Sequence, residues 1–199
     1  MNLPNRITIT RIVLSVAIML LLLIPWHELN VSFPDYVVNG NAINLKYIIT
    51  GAVFMIASLS DFLDGHIARS RNMVTDFGKV LDAIADKILV NGLLIIMAYD
   101  RMISVIIPVV IITRDIITDT CKMVCGSNGK VVAASKLGKL KTIFMMTGIT
   151  LVLFGNIPFT FINVPVDKIL VLCATLLSVI SGIQYYNNSK KYFLPKSSK

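Results

Sequence analysis

Asp61, Asp64, Asp82 and Asp86 stand close together in stretches that are otherwise strongly apolar. An ionised group at membrane depth costs at least about 2.5 kcal/mol at a helix centre, so such groups usually mark function. Carboxylate oxygens are hard ligands suited to Mg²⁺ or Mn²⁺, and four of them balance two divalent cations. Cations held this way can clamp a pyrophosphate during a displacement, and a carboxylate can take the nucleophile's proton. The competing reading is a buried ion-pair network with Arg69, Lys79 and Lys87, which leaves acids unpaired inside a span. On a helix, Asp61, Asp64, Gly65, Ala68 and Arg69 share one broad face, and Gly78, Asp82 and Asp86 follow at i, i+4 and i+8. The two faces can meet across Ser70–Thr75. Gly65 and Gly78 would let a bulky ligand, or a packed helix, approach the backbone.

A second group is basic. Arg114, Lys136 and Lys139, with Arg11 further out, suit an acceptor that carries its own phosphate. Plain positive anchors at lipid headgroups are the alternative, more so for Lys139 and Lys141 than for Arg114.

The elements that must hold these groups are greasy. The chain has 199 residues, is 55% hydrophobic and carries a net charge of +8. Its mean hydropathy of +0.77 is far above that of a soluble domain. A basic surplus can signal nucleic acid, but a basic-aromatic soluble face is missing, so topology is the better reading. Cys121, Cys125 and Cys173 lie in apolar segments and read as packing residues. The start resembles a signal peptide, yet no small-residue cleavage site follows the run ending Ile24-Pro25-Trp26, so it is taken as a span.

A helix needs about 20 residues to cross a bilayer core of roughly 30 Å. One polytopic domain over residues 1–199 is expected, with spans near 8–27, 43–70, 75–99, 102–122, 137–158 and 167–188. Residues 1–7 would lie at the interface. Ile88–Tyr99 and Met102–Thr113 are apolar but too short. Span three must therefore take in Asp82, Asp86 and Lys87, and span four Arg114, Asp115 and Asp119. Such charges must face protein or a wet cavity, not lipid. With the N-terminus inside, Lys and Arg crowd the inner loops, while the outer ends hold only Lys46, Arg101 and Lys168. The positive-inside rule then places both termini, and both charged groups, on the cytosolic side. Asn30, Pro34, Gly40, Gly155 and Pro158 break the helices at the outer loops.

The run Asp61-x2-Asp64-Gly65-x2-Ala68-Arg69-x8-Gly78-x3-Asp82-x3-Asp86 resembles, at every defining position and spacing, the signature of the CDP-alcohol phosphatidyltransferases. The resemblance implies an all-α integral membrane fold of six helices, a homodimer, and a cytosol-facing site with two divalent cations in a plasma membrane, bacterial by its closest branch. It implies that Asp61, Asp64, Asp82 and Asp86 hold the metals and that Asp86 is the general base. It gives Asp64, Gly65, Ala68, Arg69, Thr75 and Gly78 to the donor, CDP-diacylglycerol.

The signature does not name the acceptor. Asn2-Leu3-Pro4-Asn5-Arg6, Thr113-Arg114-Asp115 and Ser135-Lys136-Leu137-Gly138-Lys139-Leu140-Lys141-Thr142 are similar to the bacterial branch that makes phosphatidylglycerol phosphate. Glycerol 3-phosphate is then the acceptor, with Arg114, Lys136, Lys139 and Arg11 at its phosphate. Ala83, Asp115 and Met145 depart from that branch's usual Pro, Glu and Gln. Inositol phosphate, serine or phosphatidylglycerol are rival acceptors. A divalent-cation transporter is a rival of another class, but it calls for acids spread through the bilayer depth or an inverted repeat, and the sequence has neither.

Overall fold

The structure, a computed structural model, describes the backbone of residues 3–70, 76–127, 129 and 136–190, and within these the side chains of 5–61, 78, 80–127, 129 and 137–190. Six α-helices lie among them: α1 (Leu3–Leu23), α2 (Leu45–Ser70), α3 (Asp76–Tyr99), α4 (Ile106–Ser127), α5 (Lys136–Leu153) and α6 (Val166–Ser189). Each lies at one of the segments expected from the apolar runs. α1 begins at Leu3, so residues 3–7 are not a separate interfacial segment. No breaker interrupts that stretch, and Pro4 falls in the first turn, where its missing N–H costs nothing.

The helix ends have local causes. The side-chain oxygen of Asn44 accepts the backbone N–H of Lys46 at 3.1 Å at the start of α2. Ser104 does the same for Ile106 at 3.4 Å ahead of α4. Such side-chain oxygens satisfy amides that have no intrahelical partner. α5 stops where Gly155 and Asn156 take positive φ. Asn156 then ties the turn to α6, donating to the Val164 carbonyl at 2.7 Å and accepting the Asp167 N–H at 3.2 Å.

One element was not expected. Asp35–Val38 (β1) and Asn41–Asn44 (β2) pair antiparallel, Val38 opposite Asn41. The intervening Asn39 and Gly40 have φ of 48° and 82°, the double positive φ of a two-residue hairpin turn. The hairpin is held to the short 3-10 turn between α5 and α6, Phe159–Ile162, by Asn39, which donates to the Thr160 carbonyl at 2.9 Å. The fold is thus mostly helical with a two-stranded cap.

The helices contact one another in the closed order α1, α3, α4, α6, α5, α2 and back to α1. Chain direction alternates, so the starts of α1, α3 and α5 share one end of the bundle with the finishes of α2, α4 and α6. Away from that end the core is apolar: Phe54, Leu93, Leu94, Met97, Ile111, Ile149, Leu153 and Val171 are fully buried. Small residues bring backbones close. A Cβ on Gly148 would lie 3.1 Å from the Val171 backbone nitrogen, which is how α5 meets α6.

The outside of the bundle is also apolar. Val13, Ile56, Ile95, Val109, Ile143 and Leu176 are exposed, one from each helix. Soluble monomers rarely expose apolar patches beyond a few hundred Å². Helix hydroxyls turn inward on their own backbone: Ser15, Thr50, Thr118 and Thr175 each donate to the carbonyl four residues earlier. That bond satisfies a hydroxyl where water is scarce. Among the described residues, two helices are long and apolar enough to cross a membrane by length and composition alone, α1 over Asn5–Leu23 and α6.

Candidate active site

A cluster of charged residues lies at the end of the bundle where α1, α3 and α5 begin. Two sets are distinct. In the first, α1 inserts Arg11 between α2 and α3. Its guanidinium donates to Asp61 and to Asp82, and Arg11 is only 2% exposed. A planar fork can serve two carboxylates at once, which a lysine could not do with the same geometry. The two acids, distant in sequence, therefore stand on either side of one cation. Asp86 lies one turn beyond Asp82 on α3, and Gly78 one turn before it.

Asp64, Gly65, Ala68 and Arg69 belong to the last turns of α2, but their side chains lie outside the described residues. Thr75 lies outside them entirely, and so does the side chain of Lys136.

In the second set, Arg114 on α4 lies flat against α6. It donates to the Ser178 carbonyl at 3.1 Å, to the Ser181 hydroxyl at 2.7 Å and to Asp115 at 2.9 Å. Gly182 makes room: a Cβ there would lie 2.9 Å from Arg114 Cγ. Asp115 also accepts from Lys141 of α5 at 3.4 Å. Lys141 is 9% exposed, whereas Lys139 is exposed.

The two sets meet at a small cavity of about 30 Å³, lined by Asp86, Asn91 and Lys87 of α3, Asp115 of α4, and Lys141 and Met145 of α5. Beside it Lys87 pairs with Asp119. Asp86 beside the first set and Lys141 of the second thus border one space.

Of the residues expected from the sequence, Asp61, Asp82 and Asp86 come to one end on facing helices, and Arg114 stands across the cavity wall through Asp115. Arg11 stands with the acids rather than beside Arg114. Lys141 is the residue sequence reasoning undervalued. Its spacing in Lys136-x2-Lys139-x-Lys141 turns it to another face from Lys139, but a basic helix start reads equally well as a headgroup anchor.

The donor set suits a divalent cation in chemistry: oxygen ligands only, from two helices, with more negative charge than Arg11 balances. Among the described residues no three ligating side chains converge on one point; the side chain of Asp64 lies outside them.

The chain is similar to known proteins along most of its length. The family model for CDP-alcohol phosphatidyltransferase matches residues 1–180. The chain is 35% identical to the CDP-diacylglycerol–glycerol-3-phosphate 3-phosphatidyltransferase of Bacillus subtilis over 190 residues, 94% of this chain and 95% of that one. It is 32% identical to the protein of the same name from Rickettsia typhi over 193 residues, 96% of this chain and 99% of that one. With the Mycoplasma genitalium protein of that name the identity is 39% over 108 residues, 54% of this chain and 46% of that one.

Proposed function

The chain belongs to the CDP-alcohol phosphatidyltransferase family, and from that premise we propose that it transfers the phosphatidyl group of CDP-diacylglycerol to sn-glycerol 3-phosphate, giving phosphatidylglycerol phosphate and CMP. It is an enzyme of phospholipid biosynthesis. The observation that carries the acceptor is the likeness, over nearly the whole of each chain, to relatives named for that reaction. The arrangement of Arg114, Asp115 and Lys141 supports it, since it sets a half-buried arginine and a buried lysine beside the acidic groups.

The primary hydroxyl of glycerol 3-phosphate attacks the phosphorus that bears diacylglycerol. The bond from that phosphorus to the bridging oxygen breaks, and the oxygen leaves with CMP. The hydroxyl proton passes to a carboxylate oxygen of Asp86. A positioned base of this kind contributes typically about 10²–10⁴-fold. Asp64, Gly65, Ala68, Arg69, Thr75 and Gly78 hold the cytidine side of the donor. Arg114 is pre-aimed by Ser178, Ser181 and Asp115, so its fork meets the acceptor phosphate with little ordering left to do. Lys141 joins it from α5, and Lys136, Lys139 and Arg11 are further basic groups at this end. Asp61, Asp64, Asp82 and Asp86 would hold two divalent cations, Mg²⁺ or Mn²⁺, which supply positive charge against the donor's pyrophosphate.

All six helices cross the bilayer in this reading, both termini are cytosolic, and the enzyme is a homodimer in a bacterial plasma membrane. Support comes from the apolar outer surface on every helix and from the loop charges. The shorter apolar runs of α3 and α4 cross because their charged residues pair inside the bundle.

The test is CMP release by purified enzyme from CDP-diacylglycerol with one alcohol offered at a time. Release with glycerol 3-phosphate and not with serine, inositol phosphate or phosphatidylglycerol is expected. Release with serine alone would overturn the acceptor, and cation flux in liposomes without CDP-lipid would favour a transporter.

A further inference from the structure

Asn91 is not used by any step above. It lies on α3, an apolar helix, and it lines the cavity of about 30 Å³ together with Asp86, Asp115 and Lys141. Its Oδ1 is buried and has no hydrogen-bond partner among the described residues. A polar atom in such a place costs free energy unless something bonds to it. Amides inside spanning helices tend to be functional for the same reason.

The cavity's size limits what that partner is. A group the size of one water needs roughly 10–15 Å³ by this measure, so the space of about 30 Å³ takes about two hydroxyl-sized groups and not a phosphate. The walls limit its chemistry. Asp86 and Asn91 Oδ1 are both acceptors, so the group that enters between them must donate. Lys141 and Lys87 line the space on the other side, and Arg114 stands behind Asp115, so their N–H groups can donate to an anion there. A molecule with two adjacent hydroxyls and a phosphate one carbon further on satisfies all three at once.

We propose that Asn91 reads the acceptor's second hydroxyl: its Oδ1 accepts a hydrogen bond from C2–OH of glycerol 3-phosphate while C1–OH stands at Asp86. The inference rests on the acceptor assignment made above and gives that site a specificity residue. A site built to bond a hydroxyl rejects the analogue lacking it, because its own buried group is then left bare. Asn91 takes no proton and touches no reacting atom. It fixes the rotation about the C1–C2 bond and so the direction from which the attacking oxygen arrives.

The experiment compares sn-glycerol 3-phosphate with 3-hydroxypropyl phosphate, which lacks only the C2 hydroxyl, by CMP release from CDP-diacylglycerol. Wild-type enzyme is expected to prefer glycerol 3-phosphate in kcat/KM by roughly tenfold or more, the worth of one buried hydrogen bond. Asn91→Leu, similar in shape but with no acceptor, is expected to bring the ratio near one by slowing glycerol 3-phosphate and sparing the analogue. Asn91→Ala does the same where the leucine variant fails to fold. The inference is overturned if wild type uses both alcohols equally, or if the variants lose both in proportion, which marks Asn91 as structural or as a holder of water. It is overturned too if the variants keep the full preference. Failure of the acceptor assignment looks different: wild type then releases no CMP with either phosphate.

Discussion

The two ends of the bundle are built by opposite rules. In the apolar half, Leu93, Met97, Ile111, Ile149, Leu153 and Val171 have essentially no exposure; these side chains need a filled volume rather than a particular partner, and directed bonds at that end tie the loops, as Asn39 to Thr160 and Asn156 to Val164. In the charged half, Arg11, Asp61, Asp82, Arg114, Asp115 and Lys141 are each placed by a named bond. That half also leaves buried polar atoms without protein partners, Asn91 Oδ1 and Ser178 Oγ among the described residues. The first half holds helices together; the second spends stability on orientation. In lipid the contrast sharpens, because helix packing there draws little on the hydrophobic effect, while an unpaired polar group costs more.

Substitutions should separate the two halves. The largest effect is expected at Asp86. Asp86→Asn keeps the shape and removes the base, so kcat should fall about 10²–10⁴-fold with helicity and melting unchanged; circular dichroism beside CMP release checks both. Next comes Arg114→Lys, which keeps the charge and loses the fork that Ser178, Ser181 and Asp115 hold. KM for glycerol 3-phosphate should rise roughly tenfold or more while KM for CDP-diacylglycerol stays put.

The opposite pattern is expected from Leu93→Ala in the apolar half. Stability in detergent should fall by about 2 kcal/mol, near the low end for such cavities because lipid removes part of the transfer term. kcat of the folded fraction should hold. If kcat drops in step with Asp86→Asn, the halves are not separable. The smallest effect belongs to Lys139→Ala, an exposed residue, within about twofold of wild type, against a clear rise in acceptor KM for Lys141→Ala.

The helices were legible because apolar run length is a strong signal. The short apolar run before Tyr99 was expected to extend back through Asp82 and Asp86, and α3 does begin at Asp76. The next run was expected to extend through Arg114, Asp115 and Asp119, and the helix α4 runs to Ser127. The hairpin was missed although Asn39-Gly40 is the turn such hairpins prefer. Its strands are only four residues each, too short for alternation to register. Within the site, spacing shows which residues share a face of one helix, hence the acidic i, i+4, i+8 row. It does not show which face meets which neighbour. That is why Arg11, grouped from sequence with the basic residues, stands instead between Asp61 and Asp82, and why the burial of Lys141 and the place of Asn91 were hidden. Both depend on α3, α4 and α5 closing around one cavity.

The most direct test is transfer of label from sn-glycerol 3-phosphate into lipid, measured with CMP release on purified wild type and Asp86→Asn in the same membranes. Wild type should form labelled phosphatidylglycerol phosphate one for one with CMP, and Asp86→Asn should form almost none. Label entering lipid equally in both, or CMP appearing without labelled lipid, would contradict a phosphatidyl transfer centred on the charged end of the bundle.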